Sequence, residues 1–318
     1  MRAAVLHALG ERPRYQDLPE PTPVAGEEPV RITACPVTNL DRARAAGTHF
    51  AAPAELPVVL GSLAAGVLSD GARVLFRSAH GVMAERATTR RAWCTPIPDT
   101  VDDVAAAAVQ NPGVSAWISL TWRAGLRPGE SVLVLGATGV TGRLAVQLAK
   151  RFGAGRVVAA GRDPQGLAEL RELGADRTIR LDVPDRDLDR ALRDAAGPDG
   201  FDVVLDYLWG RPTEIYLNTL VVNDMVLRHS RTRLVQVGVM AGPTLTLPAE
   251  VLRGSGLEIL GNGTGNAPPP EVLSSALAQV LDLLGAGALR IATHPVPLAR
   301  VAEVWDLDQR GRRTVLIP

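Results

Sequence analysis

Three glycines spaced three residues apart, Gly136, Gly139 and Gly142, are the residues whose spacing most clearly indicates chemistry. They follow the aliphatic run Ser131–Leu135, which predicts a strand buried on both faces, and they precede a run with apolar residues at helical spacing. Small residues in such a strand-to-helix turn let the backbone approach a pyrophosphate, and the first helix amides face the anion. Glycine-rich turns can also be simple tight connections, but the flanking strand and helix favour nucleotide binding. The predicted phosphate-binding residues are Gly136, Ala137, Thr138, Gly139, Val140, Thr141 and Gly142.

The end of the next predicted strand, Arg156–Ala160, indicates which dinucleotide is bound. An acidic residue at this place accepts hydrogen bonds from the adenine ribose and selects NAD, whereas an arginine pairs with a 2′-phosphate and selects NADP. The strand is followed by Gly161, Arg162 and Asp163. We therefore predict NADPH, with Gly161 and Arg162 in its site, and Asp163 as the cap of the following helix. NADH is the alternative if Asp163 turns towards the ribose.

The elements around this turn predict an α/β fold. Beyond Ser131, strand and helix patterns alternate, which indicates right-handed crossovers and a doubly wound parallel sheet. The first hundred residues are instead rich in short strand patterns separated by proline and glycine, including one predicted strand over Ala84–Thr95. The sequence therefore predicts a doubly wound α/β unit and a second, β-rich unit.

The composition describes a soluble globular protein with no overall attraction to polyanions. Of its 318 residues, 46% are hydrophobic and 21% are charged, and Lys plus Arg equal Asp plus Glu at 34 each. This balance argues against nucleic acid or an acidic membrane as partner, and no apolar run approaches the roughly 20 residues of a membrane span. The first residues lack the pattern of a secretory signal. We expect a cytoplasmic protein whose Cys35 and Cys94 are reduced core residues.

The chain resembles the medium-chain dehydrogenase/reductase superfamily, and within it the zinc-independent quinone oxidoreductase and enoyl reductase branch. The resemblance runs nearly end to end. It rests on these segments, in this order: Leu56–Gly61, Ala64–Gly66, Gly71–Val74, Ala84–Glu85, Arg127–Glu130 leading into the glycine turn, Glu172–Asp176 and Val237–Gly238. It implies a Rossmann domain inserted into a GroES-like β-rich domain formed by both termini, with substrate bound in the cleft between them. The expected boundaries are 1–110 and 265–318 for the GroES-like part and 111–264 for the Rossmann part.

Departures from the family pattern argue against zinc. Zinc-dependent relatives carry a cysteine near Thr38 and a Gly-His-Glu where this chain has Gly61, Ser62 and Leu63. Zinc requires Cys, His or carboxylate ligands, which these positions do not supply. We expect no metal site.

The resemblance also indicates catalytic candidates. The zinc-independent branch usually has Asn-x-x-Asp where this chain has Thr38, Asn39 and Asp41, with the asparagine displaced by one position. Enoyl reductases often carry a tyrosine proton donor shortly after this helix, and here the segment contains His49 and Phe50 instead. An imidazolium is a competent acid near neutral pH, although a surface loop histidine is the equal alternative.

Further residues are expected near the nicotinamide or the substrate. Ser115 matches a family threonine, Gly238 matches the glycine that ends the fifth strand, and Asn262 lies in the loop after the sixth. Tyr207 and Trp209 follow the fourth strand, at the carboxyl edge of the sheet where ligands bind. Together with Phe50 they are candidates for the substrate cleft. A packing role is the alternative for Tyr207 and Trp209.

These observations predict an NADPH-dependent reductase that transfers hydride to a quinone or an α,β-unsaturated carbonyl compound. The missing tyrosine favours quinones, which take up protons from solvent. Two alternatives stay open: an NADPH-binding sensor or interaction protein without turnover, and a specialised biosynthetic reductase with an unusual substrate. The resemblance also implies a homodimer that pairs the Leu257–Leu260 strands edge to edge.

Overall fold

The computed structural model describes residues 1–221, 231–307 and 310–318. The strands, in chain order, are β1 (Arg2–Leu6), β2 (Arg14–Asp17), β3 (Glu28–Pro36), β4 (Val58–Val59), β5 (Leu63–Leu68), β6 (Arg73–Arg77), β7 (Arg86–Thr89), β8 (Thr95–Pro96), β9 (Ser131–Leu135), β10 (Arg156–Gly161), β11 (Arg177–Arg180), β12 (Val203–Asp206), β13 (Arg231–Gln236), β14 (Gly256–Gly261), β15 (Ala292–Pro297) and β16 (Arg312–Ile317). The helices are α1 (Asn39–Ala45), α2 (Asp103–Ile118), α3 (Val140–Arg151), α4 (Pro164–Glu172), α5 (Asp185–Ala196), α6 (Gly210–Thr219), α7 (Ala249–Gly254), α8 (Pro270–Gly285) and α9 (Val301–Val304).

Two compact units share the chain: residues 1–111 with 277–318, and residues 112–276. The second unit contains a six-stranded sheet in the order β11-β10-β9-β12-β13-β14, in which all neighbours are parallel. Counted from β9, this is the order 3-2-1-4-5-6 of a dinucleotide-binding fold, whose switch point lies between β9 and β12. The predicted doubly wound sheet is confirmed.

The hydrophobic pattern explains why this sheet forms. All five residues of β9 are buried, as a central parallel strand covered by helices on both faces requires. Helices on the faces bury one apolar stripe each, for example Leu188, Leu192 and Ala195 of α5. The sheet core includes Leu133, Leu135, Val158, Val204 and Leu234.

The first unit is β-rich and is formed by both ends of the chain. Its larger sheet runs β15-β16-β3-β5-β6-β8, with β7 also paired to β3, and a smaller sheet runs β2-β1-β4. The C-terminal strand β16 pairs antiparallel with β3, where Leu316 lies opposite Cys35. The predicted β-rich domain built from both termini is therefore confirmed.

Three details differ from the sequence-based expectation or refine it. The strand expected over Ala84–Thr95 is divided into β7, a 3₁₀ turn at Arg91–Trp93 and β8, because β7 pairs with β3 whereas β8 pairs with β6. The boundary between the units near the C-terminus falls within α8, at 276/277 rather than 264/265. Cys35 is buried and Cys94 is half-buried, and both are free thiols.

Within the described residues, no helix combines the length and the apolar character needed to cross a membrane.

Candidate functional site

The glycine turn lies where the sequence places it, between β9 and α3. The backbone amides of Gly136 and Ala137 both donate to the carbonyl of Ala160, at 3.0 and 2.8 Å, which fixes the turn against β10. Gly139 is the N-cap residue of α3, and the amide of Arg143 makes the first helical hydrogen bond, to Gly139 at 2.9 Å. The amides of Val140, Thr141 and Gly142 precede that bond and have no acceptor within the helix. Amides without acceptors at the positive end of a helix dipole are suited to binding an anion.

The turn is closed so tightly that it excludes side chains at two positions. A Cβ atom on Gly142 would lie 2.4 Å from the carbonyl oxygen of Gly136 and 2.6 Å from the Cα atom of Ala137. A Cβ atom on Gly161 would lie 2.5 Å from the methyl group of Thr138. Only glycine at these positions lets the helix start and the end of β10 approach the turn.

At the end of β10, the basic and acidic residues have different local roles. Asp163 is the N-cap residue of α4, and its carboxylate accepts the amide of Gly166 at 3.1 Å, as predicted. Arg162 is exposed, and its side chain makes no hydrogen bond or ion pair with any residue in the described part of the chain. Its guanidinium is thus available to an external anion, whereas the carboxylate of Asp163 already satisfies a helix amide.

A buried carboxylate that the sequence analysis did not single out organises the segment after β12. Asp206 is fully buried; one oxygen accepts the amides of Leu208 and Trp209, each at 2.9 Å, and the other accepts the hydroxyl of Thr213 at 2.7 Å. Burial raises the pKa of Asp206, and these three hydrogen bonds oppose the rise. The signal in the sequence was an aspartate at the end of an otherwise aliphatic strand.

The hydrogen bonds to Asp206 hold Trp209 in a strained conformation. Trp209 has φ 57° and ψ −167° and serves as the N-cap residue of α6. Side chains with a Cβ atom rarely adopt this region, which costs about 1–3 kcal/mol. The indole is half-buried and packs against the sheet core. This strain marks the segment as a candidate ligand contact.

Tyr207 and Gly238 lie at the same edge of the sheet as the glycine turn. The side chain of Tyr207 is 8% exposed, and its hydroxyl has no hydrogen-bond partner among the described residues. Burial raises the pKa of this phenol. The amide of Gly238 donates to the carbonyl of Asp206 at 3.2 Å, and Leu208 packs against Gly136. Tyr207 is thus a buried neighbour of the turn rather than an exposed wall.

Ser115 and Asn262, predicted from distant parts of the sequence, are brought together. The side-chain amide of Asn262 donates to the hydroxyl of Ser119 at 2.8 Å and to the carbonyl of Ser115 at 3.3 Å. The hydroxyl of Ser119 also donates to the Ser115 carbonyl, at 2.8 Å. These bonds tie the loop after β14 to the end of α2.

In the first unit, Thr38 and Asp41 form the start of α1. The Thr38 hydroxyl accepts the amide of Asp41 at 3.1 Å, and a carboxylate oxygen of Asp41 accepts both the amide and the hydroxyl of Thr38, at 3.0 and 2.5 Å. This is a reciprocal capping box, which satisfies helix amides locally. Asn39, the first helical residue, is exposed. Thr38 and Asp41 therefore have a structural role in addition to any catalytic one.

Asp41 also faces a small cavity of about 50 Å³, which Arg44 and Ser78 help to line. Its second carboxylate oxygen is buried without a hydrogen-bond partner among the described residues. Burial raises the pKa of Asp41, while the hydrogen bonds from Thr38 and the charges of Arg44 and Arg313 oppose the rise. Arg313, which is buried on β16 and donates to the carbonyl of Val37 at 3.1 Å, was not anticipated.

His49 and Phe50 lie together in the loop after α1. Their ring centroids are 4.3 Å apart, and Phe50 is 80% exposed. The Nδ1 atom of His49 accepts the amide of Ala51 at 3.1 Å, which assigns the ring proton of the neutral imidazole to Nε2.

The donor set at the position of a family zinc site does not fit zinc. In the parts of the chain that the structure describes, no group of three or more His, Cys, Asp or Glu side chains is placed to hold a metal ion. The Cys35 thiol has a pKa well above its ordinary value because it is buried, with a smaller contribution from Asp41. One oxygen of Asp41 is occupied by Thr38.

Comparison with known proteins places these features in context. A family model described as zinc-binding dehydrogenase matches residues 140–284. The quinone oxidoreductase of Thermus thermophilus, solved also in complex with NADPH, superposes with a TM-score of 0.82 and 29% identity, covering 100% of both chains. A probable NADPH-dependent quinone reductase of Emericella nidulans is 30% identical over 231 residues, which are 69% of this chain and 63% of that protein.

Polyketide synthases are also among the relatives. The erythronolide synthase of Saccharopolyspora erythraea is 31% identical over 234 residues, which are 73% of this chain and 6% of the synthase. The chain thus spans less than two thirds of the length of both the fungal reductase and the synthase.

The strain at Trp209 can be measured by comparing two truncations. Both Trp209→Gly and Trp209→Ala remove the indole, but only the alanine keeps a Cβ atom in the left-handed region. We expect Trp209→Gly to be more stable than Trp209→Ala by about 1 kcal/mol, because relief of strain outweighs the backbone entropy of glycine. Urea unfolding followed by circular dichroism measures the difference.

Trp122 supplies the control, because it lies in a π-helical turn at Ser119–Arg123 and is 50% exposed. There the order should reverse, with the alanine variant more stable. Equal stability of the two Trp209 variants, or a more stable alanine variant, would show that the position is not strained.

Proposed function

Because the chain belongs to the medium-chain dehydrogenase/reductase superfamily, we propose that it is an NADPH-dependent reductase that transfers hydride to a quinone or an α,β-unsaturated carbonyl compound. The observation that carries the proposal is the pairing of an anion site with a free cation. The amides of Val140, Thr141 and Gly142 begin α3 without helical acceptors, and Arg162 lies at the end of the adjacent strand with no hydrogen bond or ion pair in the described chain. This arrangement suits a pyrophosphate and a 2′-phosphate, respectively.

The residues of this chain bind and orient, and the dinucleotide when bound supplies the hydride. The helix amides hold the pyrophosphate, and Arg162 holds the 2′-phosphate. Ser115, Gly238 and Asn262 are proposed to position the nicotinamide end, and Trp209 is proposed to contribute to the substrate site. Thr38 and Asp41 act as positioning residues for the start of α1, where Asn39 is exposed to contact substrate.

The hydrogen bond of His49 favours solvent as the source of the proton. The Nδ1 atom of His49 accepts the Ala51 amide, so this atom does not act as a donor towards a substrate oxygen. Quinones tolerate this arrangement, since the reduced oxygen takes its proton from water. We therefore favour quinones over enoyl substrates, and we propose that the reaction proceeds without zinc.

Two other functions are compatible with the same cofactor-binding residues. The similarity to polyketide synthases favours a specialised biosynthetic reductase as the second candidate. A sensor or interaction protein that binds NADPH without turnover is the third, since the same binding residues serve both roles. A cytoplasmic location is kept as part of the proposal.

Turnover separates the enzyme from the binding protein. We expect the purified protein to oxidise NADPH when it is supplied with a panel of small quinones. The reaction is monitored as the loss of absorbance of the reduced nicotinamide. His49→Phe should keep the rate with quinones within about twofold, because a general acid would contribute at least about a hundredfold. Binding of NADPH with no turnover of any quinone or enone would favour the sensor. A hundredfold loss in His49→Phe, with an altered pH profile, would make His49 the acid.

The proposed contact between Arg162 and the 2′-phosphate can be tested by comparing the affinities for NADPH and NADH. We expect Arg162→Ala to weaken NADPH binding about tenfold while leaving NADH binding unchanged, because only the 2′-phosphate loses a charge-assisted contact. Arg151→Ala is the matched control, since it removes the same charge from the last turn of α3. Titration calorimetry measures both. Unchanged NADPH affinity in Arg162→Ala would remove Arg162 from the cofactor site.

We further propose a homodimer through β14, which forms one edge of the six-stranded sheet and leaves Ile259 38% exposed. An unprotected edge strand pairs readily with a second copy. Ile259→Lys should place like charges on both sides of the pairing and convert the dimer to a monomer in light scattering after gel filtration. Val24→Lys, at a residue 54% exposed in the other unit, should remain dimeric. A monomeric native protein at micromolar concentration would contradict the proposal.

A further inference from the structure

A second arginine lies beside Arg162 at the carboxyl edge of the sheet. Strands β10 and β11 are parallel neighbours in which Gly161 lies opposite Arg180, and the amide of Leu181 donates to the carbonyl of Gly161 at 2.9 Å. Arg162 follows β10 directly, and Arg180 is the last residue of β11. Neighbouring strands are about 5 Å apart, so Arg162 and Arg180 lie at adjacent strand ends.

Arg180 is already engaged by a carboxylate of its own chain. Its Nε and Nη2 atoms donate to the two oxygens of Asp182, at 3.0 and 2.5 Å. This is the bidentate geometry that an arginine also uses to bind a phosphate. The side chains are 53% and 40% exposed, so water and salt screen the pair and it opens easily.

Asp182 interacts electrostatically with both arginines. The hydrogen bonds from Arg180 hold the pKa of Asp182 below its ordinary value, and the charge of Arg162 contributes in the same direction. Asp182 is therefore ionised at neutral pH, within electrostatic range of the place where Arg162 would receive a 2′-phosphate.

We propose that Asp182 is an intramolecular competitor of the 2′-phosphate for Arg180, and that Arg180 exchanges Asp182 for the phosphate when NADPH binds. A phosphate monoester carries roughly −1.5 to −2 charges at pH 7, against one for a carboxylate, so the exchange favours the phosphate. NADH presents hydroxyl groups instead of the phosphate and leaves the Arg180–Asp182 pair intact. Asp182 thus lowers the preference for NADPH. The inference rests on the proposed use of NADPH.

The exchange is tested with two fragments that differ only in the 2′-phosphate, adenosine 2′,5′-bisphosphate and adenosine 5′-monophosphate, titrated into the full-length protein by calorimetry. Asp182→Asn should bind the bisphosphate about threefold more tightly, since repulsion is removed and Arg180 is released. Arg180→Gln should bind it about tenfold more weakly. Neither change should alter the affinity for the monophosphate.

A double variant and a control separate release of Arg180 from a general change of charge. In the Arg180→Gln background, Asp182→Asn should give a smaller gain than in the native protein, because no second arginine is freed. Asp189→Asn removes the same charge from an exposed arginine pair on α5, and it should leave the affinity for the bisphosphate unchanged.

The outcomes distinguish this inference from the proposed function. If the native protein prefers the bisphosphate but Asp182→Asn and Asp189→Asn bind it equally, competition by Asp182 is refuted while NADPH use stands. The same holds if Arg180→Gln binds the bisphosphate as the native protein does. If the native protein shows no preference for the bisphosphate, NADPH use itself is wrong and the present inference fails with it.

Discussion

The close approach of α3 to the end of β9 is the constraint on which the candidate site depends. Gly142 has no room for a Cβ atom against Gly136 and Ala137, so the helix begins directly beside the strand end. Because the helix starts there, its first amides have no partner within the helix and point at the switch point of the sheet. A second close contact holds the end of β10 against the turn, since Thr138 fills the space that a side chain at position 161 would need. The position of the first α3 amides and the position of Arg162 thus both follow from the close packing of the glycine turn.

On the other side of the switch point, a buried charge rather than a missing side chain sets the geometry. Asp206 satisfies three donors within the segment that follows β12 and has no exposure to water. A buried carboxylate with fewer hydrogen bonds would be strongly destabilising. The three donors compensate for that burial, and the turn that provides them imposes a positive φ on Trp209. The strain is local and is sustained by a rigid strand end, which is typical of segments that contact ligands.

Local sequence patterns predicted the elements and the residues whose role is local. The doubly wound sheet, the glycine turn and the cap at Asp163 each follow from a few adjacent residues, and all three are observed. The Thr-x-x-Asp pattern at Thr38 is also typical of a capping box, whereas the family resemblance implied a catalytic role for the same residues. Roles that depend on contacts between distant segments could not be predicted from local sequence patterns. The pairing of Gly161 with Arg180, and the contact of Asn262 with Ser115, join residues that only the folded chain brings together.

In the proposed cofactor site, affinity and selectivity arise from physically different groups. The helix amides are proposed to bind the pyrophosphate, which NADH and NADPH share, and they are backbone groups. Selectivity depends on exposed side chains at the ends of β10 and β11, where charges interact across water and are screened beyond about 8 Å at physiological ionic strength. Substitutions at Arg162, Arg180 or Asp182 can therefore change the preferred dinucleotide without disturbing the fold. Gly161 has no charged side chain, so the end of β10 does not itself favour either dinucleotide. The preference between NADH and NADPH therefore depends on the exposed residues next to it.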